Sequence, residues 1–136
     1  EIFELGRIDA TDEAGRQRLN NIEQSLKKVA KIKSDYKCDL EEVENCKYFT
    51  AKSTNKNYVE VHHYIPREFA NDFDETIEVL ENYITLCPNC HRKIHLAVDN
   101  ERKHMVNVLF SKRYLALKKK HLDVELNTIY EYYGIK

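Results

Sequence analysis

Apolar residues fall at Leu19, Ile22, Leu26 and Val29, in alternating steps of three and four. That spacing draws one apolar stripe and predicts a helix over residues 11–33. The stripe is too short for a coiled coil, so the helix is expected to pack on the domain. A dimer contact or a connector from an upstream domain is the alternative. Residues 47–63 read as a hairpin, with Tyr48-Phe49-Thr50 as one arm and Tyr58 to His62 as the other, around a polar turn from Ala51 to Asn57. Pro66 closes the second arm. A long acidic connection, partly helical near Ile77 and Leu80, runs to about Glu81. At that length it is more often functional than incidental. Tyr83 to Leu86 is a short apolar run, and Pro88 suits the first position of a helix continuing through Ala97. Asp99 or Asn100 is placed to cap a further helix that carries Val106, Leu109, Phe110, Tyr114 and Leu117 on one face and ends near His121. A last short helix carries Leu122, Leu126, Ile129, Tyr130 and Tyr133, with Gly134 as its cap. These two helices read as scaffold, their aromatic and aliphatic residues needing no cofactor to explain them.

At 136 residues the chain suits one domain with a small helical annex. No apolar run approaches the roughly 18 residues that span a bilayer, so a membrane protein is excluded. The chain begins at Glu1 and its single Met is Met105, which points to a processed chain or a piece of a longer one. The net charge of −1 gives no sign of a nucleic-acid partner, but the charge is unevenly placed. Residues 27–37 carry +4, residues 66–85 carry −5 and residues 99–121 carry +5. Such basic blocks form phosphate-binding faces in some proteins and solvated helix faces in more.

The chemistry-bearing residues are the cysteines and histidines. Cys87-Pro88-Asn89-Cys90 is a C-x-x-C knuckle whose thiolates can point at one tetrahedral ion. Cys38 and Cys46 supply the other half if Asp39 to Asn45 forms a loop, although seven intervening residues is wider than usual. A zinc site of all four thiolates is the expectation, against disulfides, separate buried thiols or a redox pair. Four histidines cluster as His62-His63 and His91-x-x-x-His95. On a helix, His91 and His95 share one face, one turn apart, as a metal requires. Cys90 and His91 point roughly 100° apart on the same helix, so two separate sites are expected.

The run Tyr58-Val59-Glu60-Val61-His62-His63-Tyr64-Ile65-Pro66, followed by Glu81-Asn82 and then Cys87-Pro88-Asn89-Cys90-His91-Arg92-Lys93-Ile94-His95, closely resembles the HNH endonuclease motif. The resemblance covers Cys38 to His95. It departs from the family in its wide Cys38/Cys46 spacing and in the acidic insertion before Asn82. It implies an α+β fold: a ββα-metal (His-Me finger) core with a β-hairpin, flanked by an N-terminal helix and two C-terminal helices. The division that follows is an N-terminal helical segment or connector (1–36), a nuclease core with zinc knuckle (37–98) and a C-terminal helical extension (99–136).

By the same resemblance His63 is the general base. His62, His91 and His95 hold the catalytic ion, and Cys38, Cys46, Cys87 and Cys90 hold a structural zinc. Asn82 orients the loop and the base. Adjacent strand residues face opposite ways, so His62 and His63 can flank one phosphate only where the strand ends. Three imidazoles suit Zn²⁺, Ni²⁺, Co²⁺ or Mn²⁺ better than Mg²⁺, although the family is often assayed with Mg²⁺. Glu60, on the face of His62, is a candidate acceptor for a ligand imidazole. Arg92, Lys93, Lys112, Arg113 and Lys118 to Lys120 are candidate phosphate contacts. The expected function is a metal-dependent DNA endonuclease that leaves 5′-phosphate and 3′-hydroxyl ends, as the cleavage domain of a restriction or phage-defence protein in the cytoplasm. Its expected partners are DNA and either a second copy of the chain or an upstream recognition domain. The alternatives are a non-catalytic zinc-stabilised DNA- or protein-binding module and a disulfide-bonded secreted domain.

Overall fold

The computed structural model describes residues 12–136. The part of the 1–36 segment before residue 12, including the first residue of the expected 11–33 helix, lies outside the described residues. Helix α1 (Glu13–Lys33) starts at Asp12, whose carboxylate accepts from the Gly15 N–H at 2.7 Å. A cap of this kind contributes about 1 kcal/mol. Gly15, Glu23 and Ala30 are buried on α1 and Leu19, Ile22 and Leu26 are half-buried, so the helix does pack on the domain. The expected stripe is rotated, however: Val29 is 46% exposed.

The sheet has two antiparallel strands, β1 (Glu60–His63) and β2 (Tyr83–Leu86), with Glu60 opposite Leu86 and His63 opposite Tyr83. The hairpin arms expected from the sequence are therefore corrected. Tyr48 to Thr50 is not the sheet partner of β1. Thr50 and Asn57 make an isolated bridge, and the Tyr58 N–H donates to the Phe49 carbonyl at 2.8 Å. Every β2 residue is buried, which is why that strand appears in sequence as a continuous apolar run. The acidic connection forms 3₁₀ turns at Arg67–Asp72 and Leu80–Asn82.

Helix α2 (Pro88–Leu96) follows β2 directly, with Pro88 in its first turn. Strands β1 and β2 and helix α2 make the expected ββα unit. Helix α3 (Asp99–Lys119) and helix α4 (Leu126–Tyr132) close the other side. Asp99 and Asn100 lie inside α3 and do not cap it. Val98 occupies the cap position, without a side-chain cap bond. The core gathers Ile84 and Leu86 from β2, Ile94 from α2, Met105, Leu109 and Leu117 from α3, and Ile129 from α4. The Tyr64 hydroxyl, just past β1, donates to the Val106 carbonyl at 2.9 Å and ties the strand to α3.

Candidate metal centre and its histidine neighbour

The four cysteines meet at one end of α2. Cys87 caps the helix, its sulfur accepting from the Cys90 N–H, and Cys90 lies in the first turn. Cys38 and Cys46 bracket a loop that doubles back, with the Leu40 carbonyl accepting from the Val43 and Glu44 N–H groups. The loop is fastened to β2 by Asp39. Its N–H donates to the Thr85 carbonyl at 2.7 Å and its carboxylate accepts from the Thr85 N–H at 3.0 Å. The wide spacing is thus spent on one turn anchored by the buried Leu40.

The four sulfurs lie within 4.8 Å of one another, and Cys46 and Cys90 are 3.8 Å apart. With Zn–S bonds of about 2.3 Å, a tetrahedron has edges of about 3.8 Å, so the set fits zinc. All four thiols are free and converge on one point, which favours a metal over two disulfides. A hydrogen bond from Cys90 pulls the Cys38 thiol down to about 6, against burial. Burial and the neighbouring sulfurs push the Cys46 thiol up. Four thiols this close ionise together only when a cation balances them.

His62 and His63 are the last two residues of β1 and project to opposite faces. His62 points toward α2, where His91 and His95 stand one turn apart. One ligand nitrogen from each of the three lies within 4.8 Å of the others. The ring centroids are 5.3 Å apart for His62–His91, 5.0 Å for His62–His95 and 5.3 Å for His91–His95. Burial and the adjacent imidazoles push His62 down to about 3, so it is neutral, as a metal ligand must be. His91 Nδ1 lies 2.7 Å from Glu60 Oε1, and the Tyr58 hydroxyl donates to Glu60 Oε2 at 3.0 Å. Holding Nδ1–H against a carboxylate would leave His91 Nε2 as the nitrogen free to ligate. Beside this triangle is an open hollow of about 290 Å³ lined by Glu60, His91, Arg92, His95 and Leu96.

His63 points the other way, toward α1. Its Nε2 lies 3.0 Å from Glu78 Oε1 and 3.6 Å from Glu23 Oε2. The Tyr83 hydroxyl also donates to Glu78, and its ring lies 4.6 Å from that of His63. Despite burial, hydrogen bonds from His63 and Tyr83 hold the Glu78 carboxyl below the usual range. Glu23, His63 and Glu78 offer three donor atoms within 4.8 Å of one another. Arg67 already sits 3.1 Å from Glu23 and supplies positive charge there.

Asn82 is fully buried and pins the loop after β1. Its Oδ1 accepts from the Ile65 N–H at 2.7 Å, and its Nδ2 donates to the Ile65 and Ile77 carbonyls at 3.2 Å each. These bonds hold the loop, while His63 itself is held by Glu78. Among the candidate phosphate contacts, Lys93 pairs with Glu44 at 2.6 Å, Lys112 with Glu42 at 2.7 Å and Arg113 with Asp39 at 3.0 Å. Arg92 is exposed beside the histidines.

Residues 44–96 match the model of the HNH endonuclease family. Over this segment, under half of the chain, the protein is similar to the HNH endonuclease family. No curated protein and no solved structure matches the chain. The HNH segment contains both histidine pairs, Asn82, Glu60, Glu78 and three of the four cysteines. From outside it, Cys38 joins the cysteine cluster, Glu23 lies near His63 and Tyr133 contacts His62. Sequence reasoning missed Glu23, Glu78 and Tyr133. The one signal was for Glu78, which sits in an acidic connection of suspicious length.

Proposed function

We propose that this HNH chain is a metal-dependent DNA endonuclease that leaves 5′-phosphate and 3′-hydroxyl ends, and that it acts as the cleavage unit of a restriction or phage-defence protein. The observation that carries the reading is the division of labour at the end of β1. Three imidazoles converge on one face, and a fourth is clasped by a buried carboxylate on the other.

His62, His91 and His95 would hold the catalytic ion, and their nitrogen donors favour Zn²⁺, Ni²⁺, Co²⁺ or Mn²⁺ over Mg²⁺. A divalent ion bound there supplies Lewis-acid charge to the phosphate and the departing oxygen. His63 takes a proton from water, and the water oxygen forms its bond to phosphorus as the P–O3′ bond breaks. The 3′ oxygen leaves with the electron pair and is protonated by solvent. Glu78 fixes the ring of His63 and balances the imidazolium that forms. Asn82 holds the loop on which both histidines depend. Zinc at Cys38, Cys46, Cys87 and Cys90 would fix the start of α2, and hence His91.

The core of this unit is residues 37–98, with segments 1–36 and 99–136 as flanking helices. Among the described residues no helix is long and apolar enough to cross a membrane. Free thiols grouped for a metal suit a reducing compartment, which supports the cytoplasm as its location. The near-neutral charge favours a second copy or an upstream recognition domain as the source of sequence specificity.

The test is conversion of supercoiled plasmid to nicked and linear forms with Mg²⁺, Mn²⁺, Ni²⁺ or EDTA, beside His63→Ala. The expected result is metal-dependent cleavage that the variant loses. No cleavage in any metal, with zinc bound and the fold intact, would favour a binding module instead.

A further inference from the structure

Tyr133 lies 71 residues from His62 in sequence, on the last turn of the chain, outside the HNH match. Its hydroxyl makes two contacts. It donates to the Tyr64 carbonyl at 2.5 Å and lies 2.9 Å from His62 Nε2. A phenol has one proton, and a carbonyl oxygen has none to give. The shorter contact therefore takes the Tyr133 proton. The second contact must be filled from the histidine, with Nε2–H donating to the phenol oxygen. Nδ1 is then the nitrogen of His62 that keeps a free lone pair.

The hydroxyl is well fixed. Arg102 Nη1 donates to the Tyr133 carbonyl at 2.7 Å. Gly134 turns the chain at φ +67°, a conformation open to glycine, and buries Ile135 behind it. His62 itself is only 9% exposed, so water is a poor substitute partner.

We infer that Tyr133 is a positioning residue for the catalytic metal: it locks His62 in the Nε2–H tautomer, so that Nδ1 is the ligand atom. This rests on the proposed His62–His91–His95 site. It makes α4 part of that site, as Glu60 is for His91. Orienting partners of ligand imidazoles typically contribute 10–100-fold to metal affinity.

Two measurements test it on the full chain. First, nitrogen-15 NMR of the protein holding one equivalent of zinc, with no Ni²⁺ added, reports which ring nitrogen of His62 carries the proton. A proton on Nε2 is expected, and a proton on Nδ1 overturns the inference. Second, Ni²⁺ is titrated calorimetrically into protein already holding one equivalent of zinc, for the wild type and Tyr133→Phe. The variant keeps the ring and loses only the hydroxyl. Its Kd for Ni²⁺ should rise about 10–100-fold while zinc content is unchanged. An unchanged Kd overturns the inference and leaves the three-histidine site standing. Failure of the wild type to bind Ni²⁺ beyond its zinc overturns the site itself.

Discussion

His62 and His63 are adjacent and chemically identical, yet the fold gives them opposite surroundings. Burial, with the imidazoles around it, disfavours the charged form of His62, while His63 faces two carboxylates. The difference lies in their neighbours, and Glu78 is the one that decides for His63. Glu78→Gln keeps the size of the side chain and removes its charge. Plasmid cleavage should then slow by about 100-fold, within the range general-base catalysis supplies. Calorimetric Ni²⁺ affinity should stay at the wild-type value, because Glu78 lies on the other face of β1. An unchanged rate would show that His63 does not depend on this carboxylate. Asn82 plays a different part. Its three bonds satisfy buried backbone groups of Ile65 and Ile77, so it acts on the loop.

Among the elements, what was legible in the sequence was local. Cys87 and Cys90 share the first turn of α2, and His91 and His95 are one turn apart on it, so their spacing alone declares them. Gly134 and Pro88 mark helix ends by backbone chemistry that no tertiary contact can alter. The partner of β1 was not legible. The turn at Ala51 to Asn57 suggests a local hairpin, and only packing under α1 selects the distant Tyr83–Leu86. Glu23 and Tyr133 were hidden for the same reason. Each sits on a helix whose pattern is accounted for by its apolar face, and tertiary folding alone carries them to the histidines. The cysteine loop also belongs to this scale. Cys38 and Cys46 bracket a turn that is otherwise tied to the fold by Asp39, by buried Leu40 and by the pairs Lys93–Glu44 and Lys112–Glu42. A strong chelator should release one zinc per chain and open this loop to trypsin at Lys37 and Lys47. Mass spectrometry of the fragments reads the result. Protection that survives complete loss of zinc would show that the loop is held without metal.

Over the whole molecule, acidic and basic blocks nearly cancel, and several basic side chains are engaged with the protein's own carboxylates. The acidic connection divides in two. Glu78 is buried at His63, while Glu68 and Asp74 are exposed. Neutralising the exposed pair as Glu68→Gln with Asp74→Asn leaves Glu78 in place. DNA affinity should rise severalfold at low salt, and the gain should shrink as ionic strength increases. Fluorescence anisotropy with a labelled duplex measures both. An affinity equal to wild type at every salt concentration would remove repulsion by this segment from the account. The pleat of β1 has a consequence of its own. Because the proposed ligand and the proposed base are told apart only by the side of the strand they occupy, the residues of β1 form a fixed-length ruler. One residue inserted ahead of His62 would turn each imidazole toward the other's partners. A single insertion or deletion within it would therefore reverse both faces in one step.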